Sequence, residues 1–125
     1  MTSWSNEELT PIAEADELRV QPRRADGSLR EPTPIWVVRD GADLYVRSYR
    51  GPDGVWWRTA KAGGAGRVQA GGVTRDVAFT AATDPELNDR LDAAYRAKYG
   101  RYSATYVDPM VAEPARATTL RLSPR

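Results

Sequence analysis

Arg47, Ser48, Trp57 and Arg58 are the residues of this chain whose types and spacing could do chemistry. They lie in one stretch: Leu44-Tyr45-Val46-Arg47-Ser48-Tyr49-Arg50, then Gly51-Pro52-Asp53-Gly54, then Val55-Trp56-Trp57-Arg58. The stretch reads as two strands joined by a turn. A guanidinium offers a planar fork of donors to a phosphate, a hydroxyl adds a hydrogen bond, and an indole face stacks on a flat ring. Held on rigid strands, this set suits a flat, phosphorylated ligand. Strand geometry limits it. Adjacent residues point to opposite faces, so Arg47 and Ser48, or Trp57 and Arg58, share one ligand only near a strand end or bulge. Each has a structural alternative as well. Arg47 could pair a carboxylate such as Asp76 across the sheet, and Trp57, like Trp36 and Trp56, could be a packing residue.

Composition narrows the chemistry. The 125 residues include no cysteine and no histidine. Thiol chemistry, Ser-His-Asp and Cys-His catalysis, and Cys- or His-ligated metal are therefore excluded. The net charge is +1, from 18 basic and 17 acidic residues, which makes no electrostatic case for nucleic acid or an anionic membrane. No apolar run approaches the ~20 residues of a membrane span, and no basic start followed by an apolar stretch marks a secretory signal. The expectation is a single domain over residues 1–125, soluble and cytoplasmic.

The elements that must position these residues are mostly short strands. Ser5 and Glu8 fit a capping box, with Trp4 and Leu9 as its staple. Pro11 predicts a break there: a turn over 6–9, then a second start with Thr10 as cap. Residues 18–21 read as a strand stopped by Pro22, and 23–34 as a loop that could border a site. Strands follow at 35–39 and 43–49 around Asp40-Gly41. In the second of these, Leu44, Val46 and Ser48 oppose Tyr45, Arg47 and Tyr49. Residues 55–60 read as a return strand, 61–66 as a glycine-rich turn, and 67–70 with 73–80 as a hairpin around Gly71-Gly72. The clearest helix is 84–99, capped from Thr83 to Glu86, with Leu87, Leu91 and Tyr95 as its buried stripe. Residues 101–114 read as irregular and 118–122 as a closing strand. The fold class is mainly β with α: a β-barrel of six or seven antiparallel strands, one long helix and a short N-terminal helix.

Several motifs in order carry a resemblance. They are Pro34-Ile35-Trp36-Val37-Val38, Leu44-Tyr45-Val46-Arg47-Ser48, Gly51, Trp57-Arg58, Gly66-Arg67-Val68, Gly71-Gly72, Asp76-Val77, Phe79, Tyr95-Arg96, Lys98-Tyr99-Gly100 and Ala117-Thr118-Thr119-Leu120-Arg121-Leu122. The chain resembles a bacterial family of unknown function made of short stand-alone proteins. That family is similar to the split-barrel proteins that bind FMN or a deazaflavin, among them pyridoxamine-phosphate oxidase relatives and deazaflavin-dependent nitroreductases. The resemblance implies a split β-barrel, a homodimer with ligand at the subunit interface, and a flavin- or deazaflavin-type cofactor. It carries over no activity.

Two functional readings follow. In one, the chain binds FMN or a deazaflavin through Arg47, Ser48, Trp57 and Arg58, and works as an oxidoreductase in which the cofactor does the redox chemistry. In the other, the barrel is a non-catalytic module for another small molecule or a protein. The chain lacks the Gly-Arg-Lys-Ser-Gly-like phosphate segment of the deazaflavin reductases, which favours the second reading.

Overall fold

The structure, a computed structural model, describes residues 3–125; residues 1 and 2 of the expected domain lie outside the described residues. The elements run α1 (Asn6–Glu14), β1 (Leu18–Pro22), β2 (Thr33–Ile35), β3 (Val38–Asp40), β4 (Asp43–Val46), α2 (Val55–Gly63), β5 (Ala65–Ala70), β6 (Val73–Ala81), α3 (Pro85–Tyr99), α4 (Ala104–Met110) and β7 (Leu120–Pro124). The seven strands form one sheet in the order β2-β1-β5-β6-β7-β4-β3, antiparallel at every junction.

The outermost strands, β2 and β3, are neighbours in sequence. Only Trp36 and Val37 separate them, and so short a link spans at most about 10 Å. The two edges must therefore approach each other, and the sheet curls into an incompletely closed barrel. The single strand expected over 35–39 is in fact two, because the chain steps here from one edge to the other. Gly71 and Gly72, both at positive φ, close the β5–β6 hairpin in a backbone conformation that other residues adopt only with strain.

Two apolar clusters hold the fold. The first fills the barrel with Leu18, Val20, Leu44, Val46, Val77 and Leu122, and takes in Leu9 and Ile12 of α1. In the second, α3 packs Leu91, Tyr95 and Tyr99 on the other face, against Val38 and Tyr45. Strand β4 serves both, as its alternation predicts: Leu44 and Val46 face the barrel and Tyr45 faces α3.

Four local expectations are corrected. Residues 55–60 are helical, not a strand. The buried Trp56, Trp57 and Ala60 form a stripe at helical spacing, and Gly64 ends the helix at φ +71. Burial of that stripe overrides the β-preference of valine and tryptophan. The N-terminal helix runs unbroken through Pro11. The bond that proline cannot make would go to the carbonyl of Glu7, an exposed residue whose carbonyl water can satisfy. The cap of α3 is Asp84, which accepts from the amide of Leu87 at 2.9 Å, in place of Thr83. Within 101–114, residues Ala104–Met110 form a helix that starts at the cap Ser103.

Candidate functional site

Beyond β4 the chain turns through Gly51–Asp53 and enters α2. This connection faces the segment 30–36, which leads into and out of β2. Between them lies a hollow of about 840 Å³. Its wall includes Ser48, Gly54, Val55 and Trp56 on one side, and Arg30 and Trp36 on the other.

Ser48 is 1% exposed, and its hydroxyl has no hydrogen-bond partner among the described residues. Its backbone is fully used: the amide donates to Thr118 Oγ1 at 2.8 Å and the carbonyl accepts from Gly51. Leaving a buried hydroxyl unpaired is costly, so this orphan at the wall of a hollow is a donor still open to a partner. Gly54 is the N-cap residue of α2 and supplies no side-chain cap. The amides of Val55, Trp56 and Trp57 have no carbonyl within the helix to bond to, and the helix dipole puts positive charge there. A β-carbon on Gly54 would occupy the space of the Ser48 hydroxyl. The uncapped helix end and the orphan hydroxyl are thus one cradle, and their chemistry fits an anion.

The charges around the hollow agree. Arg24, Arg30, Arg47 and Arg50 line it, against the carboxylates of Glu31 and Asp53. Arg24, Arg30 and Arg50 make no ion pair among the described residues.

Arg47 is differently placed. Only 1% exposed, it points from the end of β4 toward α3, on the same face as Tyr45. Nη1 donates to Asp92 Oδ1 at 2.6 Å and to the Met110 carbonyl at 2.7 Å; Nη2 donates to Asn88 Oδ1 at 2.9 Å, and Nε to Thr119 Oγ1 at 2.9 Å. The guanidinium also lies 5.2 Å from the centre of the Tyr95 ring. Its carboxylate partner is Asp92; Asp76, the partner weighed from the sequence, pairs with Arg67 instead. Tyr95 itself is sealed from water, and burial drives its phenol well above the usual range despite the nearby guanidinium.

Trp57 and Arg58 stand apart from this hollow. Trp57 belongs to the barrel core, and its indole N–H donates to the Thr118 carbonyl at 2.8 Å. Arg58 is exposed and lines a smaller hollow with Arg23 and Arg24. The structure therefore brings Arg47 and Ser48 to one hollow, and places Trp57 and Arg58 elsewhere. The aromatic walls of the hollow are Trp36 and Trp56, which sequence reasoning assigned to packing; Trp36 also stacks on Tyr99 at 4.0 Å. Their signal was present as two large side chains beside Arg and Gly, yet the helical reading of 55–63 was needed to place Trp56 at the wall.

No group of metal-ligating side chains occurs among the described residues. No helix among them is long and apolar enough to cross a membrane.

No curated protein matches the chain. Solved structures of the pyridoxamine-phosphate-oxidase, F420 reductase and FAD-binding types share its split-barrel fold. HutZ, the heme storage protein from Vibrio cholerae, superposes with a TM-score of 0.65 at 11% identity, over 93% of this chain and 86% of that one. An F420 reductase gives 0.60 at 12%, covering 98% and 94%. A FAD-binding protein from Mesorhizobium loti gives 0.58 at 17%, covering 98% and 89%. At such identities the likeness is one of fold. Residues 8–122 match the family described as "Uncharacterized protein conserved in bacteria (DUF2255)", and the chain belongs to that family.

Proposed function

We propose that the chain binds a flavin- or deazaflavin-type cofactor in the hollow at the start of α2, with the cofactor's phosphate at Ser48. The observation that carries this reading is the orphaned Ser48 hydroxyl beside the uncapped helix end, with Gly54 open to admit it. Ser48 would donate one hydrogen bond to the phosphate, the first amides of α2 would donate others, and Arg30 and Arg50 would supply charge. Trp36 and Trp56 offer aromatic surface to a flat ring. Arg47 keeps the end of β4 in place through its bonds to α3 and α4, so it supports the phosphate site from behind. Trp57 and Arg58 act from the helix that carries the site: Trp57 anchors α2 to the core, and Arg58 extends the positive field. A bound flavin or deazaflavin supplies hydride or electron transfer, and the chain then serves as an oxidoreductase.

The reading includes a homodimer. Tyr49, Val55 and Tyr106 line the hollow and are all more than half exposed. A second copy across this mouth would cover these side chains and keep water from the ring.

The test is a titration with FMN and with F420, followed by quenching of tryptophan fluorescence and by the spectrum retained on gel filtration. Saturable binding in the micromolar range or tighter, lost in Ser48→Ala, supports the reading. A folded protein that binds neither would leave the second reading, a non-catalytic module that holds another phosphorylated molecule in the same cradle.

A further inference from the structure

Seven of the arginines pair with carboxylates: Arg47, Arg67, Arg75, Arg90, Arg96, Arg101 and Arg116. Of the remaining nine, five line one of two hollows. Arg24, Arg30 and Arg50 belong to the hollow already described; Arg23, Arg24 and Arg58 belong to the second, of about 380 Å³. Arg24 is common to both, so the two hollows adjoin.

The second hollow is built to leave positive charge uncovered. No carboxylate lines it, and its remaining wall is small: Ala25, Ala62 and Gly63 with Thr59. A β-carbon on Gly63 would press on the Arg23 carbonyl at 3.1 Å, so the close approach of α2 to this segment depends on glycine. Two of the guanidiniums are held in place by uncharged groups. Arg23 Nη1 donates to the Gly27 carbonyl at 2.8 Å, and Arg24 Nη1 to the Leu29 carbonyl at 2.9 Å. The adjacent carboxylate of Asp26 is occupied by the amide and hydroxyl of Ser28, at 2.9 and 2.6 Å. Arg58 has no side-chain partner among the described residues. The Asp26 and Asp76 carboxylates lie near enough to feel Arg24 and Arg23, yet neither forms an ion pair with them, so the guanidiniums keep free donors for an anionic group.

We propose that the ligand site continues from the first hollow over Arg24 into the second, and that the chain takes an elongated ligand with a second anionic group, phosphate or carboxylate, beyond the phosphate at Ser48. This rests on the cofactor reading of the first hollow. FMN ends at its one phosphate, FAD adds a second phosphate and an adenosine, and F420 adds a carboxylate-bearing tail. The ligand selected is one of the longer kind.

The experiment compares the wild-type chain with the double substitution R23Q/R58Q. Each is titrated at low salt with FMN, FAD and F420 by tryptophan quenching, and with inorganic pyrophosphate by amide chemical shifts. The expected result is that FAD or F420 binds wild type at least tenfold more tightly than FMN. R23Q/R58Q removes that advantage by weakening FAD or F420 at least tenfold, with only the much smaller FMN loss that the reduced positive field brings, and pyrophosphate shifts the amides of Ala62 and Gly63 in wild type alone. An advantage for FAD assigns the second group as phosphate; one for F420 assigns it as carboxylate. Equal affinities for all three in both proteins, or equal losses for FMN and FAD, overturn the extension while leaving the first hollow as a cofactor site. Failure of all three to bind overturns the cofactor reading instead. Pyrophosphate then decides the second subsite: shifts at Ala62 and Gly63 that depend on Arg23 and Arg58 keep it, and their absence removes it. Should the double variant unfold, R58Q at its exposed position repeats each comparison.

Discussion

The hydroxyl of Ser48 stands where a side chain on Gly54 would begin. One residue lies in the connection just beyond β4 and the other opens a helix, and the fit works only because the second has no side chain. This contact separates a binding role from a structural one. Ser48→Ala removes a buried hydroxyl that has no partner, so stability stays the same or rises by up to about 1 kcal/mol. If the hydroxyl serves a phosphate, the same change removes a charge-assisted hydrogen bond of about 1.5–3 kcal/mol, and FMN or F420 affinity falls roughly tenfold or more. Urea unfolding and ligand titration on one preparation give both numbers. A fall in stability without a change in affinity would make Ser48 a packing residue.

Gly54→Ala is expected to act in the opposite order. The new methyl must displace the Ser48 hydroxyl or shift the start of α2, an overpacking cost of about 1–3 kcal/mol. The double variant S48A/G54A relieves the clash and recovers most of that stability. Denaturation midpoints of the three variants form a cycle, and additive losses would show that the two positions do not touch.

Arg47 is expected to be the most sensitive position for folding. Its guanidinium ties the end of β4 to α3 through Asn88 and Asp92, and to α4 through the Met110 carbonyl. Arg47→Met leaves those acceptors buried without their donor, and loss of one partner of a buried charged pair costs about 3–5 kcal/mol. Asp92 retains Arg116 Nη1, which softens the loss. Arg96→Met, at an exposed pair with Asp108, should stay close to wild type. Unfolding midpoints that place the two variants together would refute the central role of Arg47.

These positions also show how far the sequence could be read. The alternation of Leu44, Tyr45, Val46 and Arg47 assigned each side chain to its face, because a strand has a fixed period of two. The helix 85–99 was legible from Pro85, its Leu91–Tyr95 spacing and its charge pattern, although its cap is Asp84 and not the expected Thr83. Helix α2 was not, because Val55, Trp56 and Trp57 favour strands locally and only tertiary burial makes them helical. The partner of Arg47 was out of reach as well. Asp92 lies 45 residues away, and nothing local distinguishes it from the other carboxylates. The hollow itself follows from the meeting of β2 and β3 edges, which depends on the order of all seven strands.

Trp56 and Trp57 are adjacent and should differ in their effects. Both pack in the barrel core, but Trp56 also lines the first hollow, whereas Trp57 donates to the Thr118 carbonyl. Trp57→Phe loses that hydrogen bond and leaves the carbonyl short of a donor, at about 1–3 kcal/mol. Its effect on ligand affinity should be small. Trp56→Phe should keep most of the stability and remove a large part of the fluorescence quenched by FMN or F420. The reverse pattern would mean that the ligand approaches from the core side of α2.

Lys98 gives the fold a pH dependence of predictable sign. Its ammonium donates to the Val37 carbonyl at 2.7 Å and lies 5.0 Å from the centre of the Tyr99 ring, half-buried on α3. Burial lowers its pKa from 10.5 to about 8, although Asp16 pulls the other way. Between these two values the unfolded chain holds a proton that the folded chain has released. Linkage then requires stability to rise as pH increases through that window, and the penalty is fully present below it. Tyr95 and Tyr99 act in the opposite sense above pH 10, since burial raises both phenols in the fold. The measurement is therefore the urea midpoint from pH 7.5 to 10, for wild type and Lys98→Met. Wild type should gain stability across the range, and the variant should show a flatter profile. A matching slope in both proteins would place the titrating group elsewhere and remove Lys98 as its source.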